Sequence, residues 1–162
     1  MSNPISIAAQ PDQPFVDIVR EFDAPRDLVF RAFTEPDLVR QWLGPHRITT
    51  EIVDFDAVTG GIYAYTHRDG EGNAYGFRGI FHTVIAPERI IQTFEFDGAP
   101  HHVSLESMTF EDLGDGRTRC SGRSVFLAVE ARDAMISSGM ETGVNEGYER
   151  LDDLLSSLSV AR

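Results

Sequence analysis

From residue 47 to residue 127 the chain alternates strand-like runs with turns too short to hold a crossover helix. It then ends in one long proline-free stretch of helical period. The runs occupy residues 47–55, 62–68, 75–85, 89–96, 102–111 and 117–127. Between them lie Thr59-Gly60-Gly61, Asp69-Gly70-Glu71-Gly72-Asn73, Ala86-Pro87-Glu88, Asp97-Gly98-Ala99-Pro100 and Gly114-Asp115-Gly116, all of them turn chemistry. Strands joined so closely pair antiparallel, because a parallel pair needs a crossover of a dozen residues or more. A further run, residues 15–22, precedes them and brings the expected sheet to seven strands. Arg20 interrupts its apolar face, which suits a sheet edge or a pocket rim.

Two short helices are expected between the first strand and the rest. Asp23-Ala24-Pro25 opens one with Leu28, Val29, Ala32 and Phe33 as its stripe. Pro36 opens the second, which carries Leu38, Val39 and Trp42 and stops at Gly44-Pro45. At the other end, Ile136, Met140, Val144, Tyr148, Leu151, Leu155 and Leu158 recur at three- and four-residue spacing. They predict a helix of up to seven turns lying across the sheet. The reading is an α+β helix-grip fold: a seven-stranded curved antiparallel sheet, two short helices and one long C-terminal helix. Residues 1–14, with three prolines and two glutamines, read as a flexible lead to a single domain over residues 15–162.

Charge and composition narrow the partners. The net charge is −12, and all 14 basic residues are arginine. An acidic surface repels phosphate backbones and anionic lipid, so neither nucleic acid nor membrane is expected. Without lysine there is no Schiff-base chemistry and no P-loop. Cys120 is the only cysteine and falls in a strand, where a buried thiol is the ordinary outcome. No signal segment or membrane span is read, which makes the cytoplasm the expected compartment.

A sheet covered by one helix leaves a space that side chains fill or a ligand occupies. Candidate lining residues are Trp42, Tyr63, Tyr65, Phe77, Phe81, Phe94, Met108, Met135, Met140, Gly143 and Tyr148. Trp42 fits an anchor for its helix slightly better than a cavity wall. Gly139, Gly143 and Gly147 recur every four residues, a bare helical stripe for close packing or close approach of a ligand. His67, His82 and Glu106 are the nominees for acid–base work, although a solvated strand end is the simpler account of His67. The five histidines lack metal-ligand spacing, and no cofactor motif is present. Glu149, Asp152 and Asp153 read as the wet face of the last helix.

The segment Phe22-Asp23-Ala24-Pro25-Arg26-Asp27-Leu28-Val29-Phe30-Arg31-Ala32-Phe33-Thr34 resembles the opening of a known family. So do Trp42 before Gly44-Pro45, Gly60-Gly61 with Tyr63, Gly79-Ile80-Phe81, Pro87-Glu88-Arg89-Ile90, and Gly139-Met140 with Gly143 and Leu151. The family is the activator of heat-shock protein 90 ATPase homologues, in the START-like (SRPBCC) superfamily. The resemblance implies the helix-grip fold and a hydrophobic cavity, without a shared catalytic motif. The leading functional expectation is binding of an apolar or aromatic small molecule between sheet and last helix, in a cavity of several hundred Å³. Tyr63, Tyr65 or Arg78 would orient its polar groups. A cyclase- or hydrolase-like enzyme using the same cavity is the second reading. A chaperone partner or interaction module, including a homodimer, is the third.

Overall fold

A computed structural model of the chain describes residues 3–160. In chain order the elements are β1 (Ile5–Ala8), β2 (Phe15–Phe22), α1 (Arg26–Thr34), α2 (Pro36–Trp42), β3 (Thr49–Phe55) and β4 (Ile62–Arg68). They continue with β5 (Ala74–Ile85), β6 (Arg89–Phe96), β7 (Ser104–Gly114), β8 (Arg117–Val125), α3 (Val129–Ser137) and α4 (Met140–Val160). The strands form one antiparallel sheet in the order β1-β2-β8-β7-β6-β5-β4-β3. From β3 to β8 each strand neighbours the next in sequence, as the short turns require. The α+β helix-grip architecture is therefore the one expected, with two differences.

The first difference is an eighth strand. Residues 5–8 lie within the expected flexible lead, yet Ile5 to Ala8 pair with Arg20 to Asp17. Four residues set among Pro4, Pro11 and Pro14 carry too little pattern to be read as a strand. Arg132, only 3% exposed, ties this corner down by donating from Nη1 to the carbonyls of Gln10 and Phe15.

The second is a break in the long helix. Gly139 sits at φ +90°, where the left-handed backbone ends α3 and the chain restarts as α4. The Ser138 amide donates to the Ala134 carbonyl across that end. Gly139 is thus a helix terminator and no part of a packing stripe. Gly143 faces Pro45 loosely, whereas a side chain on Gly147 would meet the Gly44 backbone and the Trp42 carbonyl at 3.5 Å. Close approach here is to the loop after α2, not to the sheet.

The core lies between the concave sheet face and the helices. Phe22, Val29, Phe81, Leu151 and Cys120 are sealed from solvent. Tyr148 meets Phe22 edge-on at 5.3 Å, which seats α4 on β2. Arg20 is in this interior too, 3% exposed, and not at a rim. Its guanidinium makes two bonds to the Asp152 carboxylate, at 2.8 and 2.6 Å. Asp152 therefore turns toward the sheet, away from the wet face assigned to it. Arg150 fastens α4 to the end of α2 and the loop after it through the carbonyls of Gln41, Gly44 and Pro45. On the outer face, Asp17–Arg123, Glu21–Arg119 and Glu111–Arg119 pairs run across β2, β8 and β7.

Candidate functional site

Period-two alternation decides which side chains of β7 look inward. Ser104, Glu106, Met108 and Phe110 share the concave face, while Leu105 and Thr109 are exposed on the other. Glu106 sits opposite Gln92 on β6 and Ser124 on β8, so three polar side chains meet at mid-sheet in a row that is otherwise apolar. Glu106 as a residue is half-buried, and the surroundings of its carboxyl exclude bulk water. That burial raises its pKa from 4.5 to about 7, against the pull of Ser124 and Ser104 toward the ionised form. Ser104 is close enough for this influence but lacks hydrogen-bond geometry. Its buried hydroxyl has no partner at all. None of the ion pairs among the described residues includes Glu106.

An aromatic array flanks this group. Tyr63 and Tyr65 lie stacked at 6.1 Å, Tyr65 and Phe77 at 5.2 Å, and Phe77 and Phe94 at 5.5 Å. Tyr63 and Tyr65 are buried, and Phe77 and Phe94 are partly accessible. Burial raises both tyrosine pKa values, with the Glu106 charge adding to the effect, so these phenols stay protonated. The Tyr63 hydroxyl donates to the Thr93 carbonyl across the strand between them. This crossing needs Gly79: a side chain there would stand 2.6 Å from the Tyr63 ring and closer still to the Thr93 carbonyl. Gly79→Ala is accordingly expected to destabilise the fold by about 1–3 kcal/mol, the range for overpacking a core. Chemical denaturation checks it, and a loss below a few tenths would mean that β5 shifts freely.

The other nominated residues separate. Phe81 is sealed in the core against Tyr63 and Phe55. Trp42 is an anchor: its Nε1 donates to the Ala32 carbonyl, and its ring packs on Phe33 and Tyr148. Met108 packs against the core from mid-sheet. Met135 and Met140 flank the α3–α4 break and are partly accessible. Arg78 points to water, 61% exposed and paired with Glu95 and Asp97, and so cannot orient an interior ligand. Arg123 likewise pairs with Asp17 on the outer face. His82 is exposed beside Thr83, away from the interior.

His67 is buried rather than solvated. Its Nδ1 lies 3.0 Å from the Thr50 hydroxyl, and its ring packs on Tyr65, Phe77 and the backbone of Gly44. Burial, with repulsion from Arg150, lowers its pKa to about 4. It is a neutral wall residue at pH 7. Cys120 is buried, and its thiol pKa is pushed up by burial, which leaves it inert.

Two hollows open elsewhere on the surface. One of about 700 Å³ is lined by Asp23, His46, Glu149, Asp152 and neighbouring residues of α4. The other, about 240 Å³, lies along β1 and β2. Neither is the expected cavity between sheet and last helix. Tyr148, Leu151 and Leu155 fill one end of that interior and keep it closed there. No helix among the described residues is long and apolar enough to cross a membrane.

Residues 23–156 match the family model described as activator of Hsp90 ATPase homolog 1-like protein. The chain belongs to this family. Solved structures agree with the match. A Rhodobacter sphaeroides protein is 25% identical with a TM-score of 0.87, the alignment covering 95% of this chain and 99% of that one. An Arthrobacter aurescens protein is 26% identical with a TM-score of 0.85, covering 94% and 91%. A Silicibacter pomeroyi protein that carries the family's name shares the fold at 20% identity and a TM-score of 0.73, covering 91% and 99%. No curated protein matches the sequence significantly. Within the family's frame, the aromatic and glycine positions of this chain have structural work: Gly79 admits Tyr63, and Gly44 admits His67. Sequence reasoning missed Ser104, Gln92 and Ser124. Alternation along β7 carried the signal for Ser104, since it places Ser104 and Glu106 on the face of Phe110.

Proposed function

We propose that the protein binds an apolar small molecule between the concave face of the sheet and the first half of α4. The observation that carries this reading is the partial accessibility of Phe77, Phe94, Met108 and Glu106 on the inward face. A solidly packed interior would seal these side chains as it seals Phe81 and Leu151. Val144, which packs on the same core from α4, marks the opposite wall. Apolar burial supplies the affinity, and the mid-sheet polar row supplies orientation.

Native mass spectrometry of the purified protein under gentle desolvation tests the reading. A reproducible small-molecule adduct that is lost on Phe94→Trp, which fills the space, is the expected result. An apo mass, together with no binding of any aromatic probe at millimolar concentration, would overturn it.

Glu106 also supports a second reading. A carboxyl poised near pH 7 beside a water-poor aromatic wall is suited to general acid–base work on a bound molecule. Turnover abolished by Glu106→Gln with ligand binding retained is the signature of that role. The family's name points to a chaperone partner. The exposed Ile62–Ile80 pair and Val53, on the strands far from the arginine ladder, are the surface such a partner or a second copy would cover.

A further inference from the structure

The interior-facing carboxyl of Glu106 has no counter-charge among the described residues. Carboxylates taken out of water are ordinarily paired, as half-buried Asp152 is with buried Arg20. Among the described residues Glu106 has no ion-pair partner, and the buried guanidinium of Arg20 is already committed to Asp152 and to the Glu21 carbonyl. The hydroxyl of Ser104 is equally idle, buried and without a partner although Glu106 is its near neighbour. An orphaned buried hydroxyl and an uncompensated carboxyl on one strand face are together the complement of a ligand group that brings positive charge and several donors.

We propose that Glu106 and Ser104 receive the ammonium head of an aryl-alkyl amine whose apolar body lies along Tyr65, Phe77 and Phe94. This names the ligand class for the interior binding site argued above and rests on that reading. A primary ammonium carries three N–H donors. The two Glu106 oxygens and the Ser104 oxygen offer three acceptors, with the Gln92 side chain opposite them in register. A neutral alcohol brings one donor and no charge, so it leaves the carboxyl uncompensated. A carboxylate ligand meets like charge in a water-poor site and is repelled. The chain's net charge of −12 favours cations at the encounter as well.

Three probes with one apolar body decide it: 4-phenylbutylamine, 4-phenylbutanol and 4-phenylbutanoate, titrated calorimetrically into the intact protein at pH 7.5. The amine is expected to bind about tenfold to a hundredfold more tightly than the alcohol, the range for hydrogen bonds to a charged group. The carboxylate is expected to bind weakest. Glu106→Gln should erase the preference for the amine while leaving the alcohol unchanged, and Ser104→Ala should reduce it by a smaller factor. Equal binding of all three, or an alcohol preferred over the amine, would overturn the amine assignment and leave interior binding standing. No binding of any probe would overturn both. An amine preference that survives Glu106→Gln would place the cation elsewhere and overturn the assignment. The wild-type ranking of the three heads tests the assignment even if a variant fails to fold.

Discussion

Replacing Asp152 with alanine is expected to lower the free energy of unfolding by about 3–5 kcal/mol, because it strands a buried guanidinium without its counter-charge. Arg20 is 3% exposed and reaches Asp152 across 132 residues of sequence through two bonds of 2.8 and 2.6 Å. Its remaining contacts are the Glu21 carbonyl and the face of Phe22, and neither compensates a full charge. Removing both partners is a different matter. Arg20→Met combined with Asp152→Leu leaves no unpaired charge and should recover most of the loss. The exposed Arg31–Glu35 pair is the control, since breaking it should cost well under 1 kcal/mol. Urea midpoints for wild type and these variants settle the point. An Asp152→Ala loss no larger than that of the control would show that water reaches Arg20 freely.

Stability should respond to pH in opposite senses at Glu106 and His67. Glu106 has a folded pKa raised from 4.5 to about 7, so the native state holds a proton that the unfolded chain releases. Its contribution is complete below 4.5 and is lost as pH rises to about 7. His67 has a folded pKa lowered from 6.5 to about 4, so protonation favours the unfolded chain. Its contribution is complete above 6.5 and is lost as pH falls to about 4. Between these limits the two slopes oppose each other, and wild-type stability should be nearly flat. Glu106→Gln removes one slope. At pH 8 it should be more stable than wild type by about 2–3 kcal/mol, with the difference vanishing near pH 4.5. His67→Gln should expose the other slope, with stability falling as pH rises from 4.5 to 7. Denaturant unfolding across pH 4.5–8 reads both, and curves parallel to wild type for both variants would contradict the burial of these groups.

The pattern of the chain makes much of this architecture legible. Short turns force the antiparallel order from β3 to β8, and the spacing of Tyr148, Leu151 and Leu155 finds the buried stripe of α4. Period two alone puts Tyr63 with Tyr65 and Phe94 with Phe96 on single faces. What stays hidden depends on partners remote in sequence. Arg20 on an inward position looks like a rim residue until Asp152 is known to face it. His67 looks solvated because Asp69 and Gly70 follow it, yet α2 and its loop fold over the strand end. The helix break at Gly139 is obscured by apolar spacing that runs through it, since Ile136, Met140 and Val144 keep a helical period on both sides. The polar row of Gln92, Glu106 and Ser124 comes from three strands in register, and no window of one strand contains it.

Arg150 holds the end of α2 and the segment after it by main-chain oxygens alone, those of Gln41, Gly44, Pro45 and Ile48. A clasp that ignores side chains imposes no particular residue identity on the segment it holds, only a backbone path. Drift in the sequence of that segment is therefore compatible with an unchanged mounting of α4, so long as Arg150 and the backbone turn at Gly44 persist. The evolutionary freedom of this surface is concentrated on one side of the contact, and its constraint on the other.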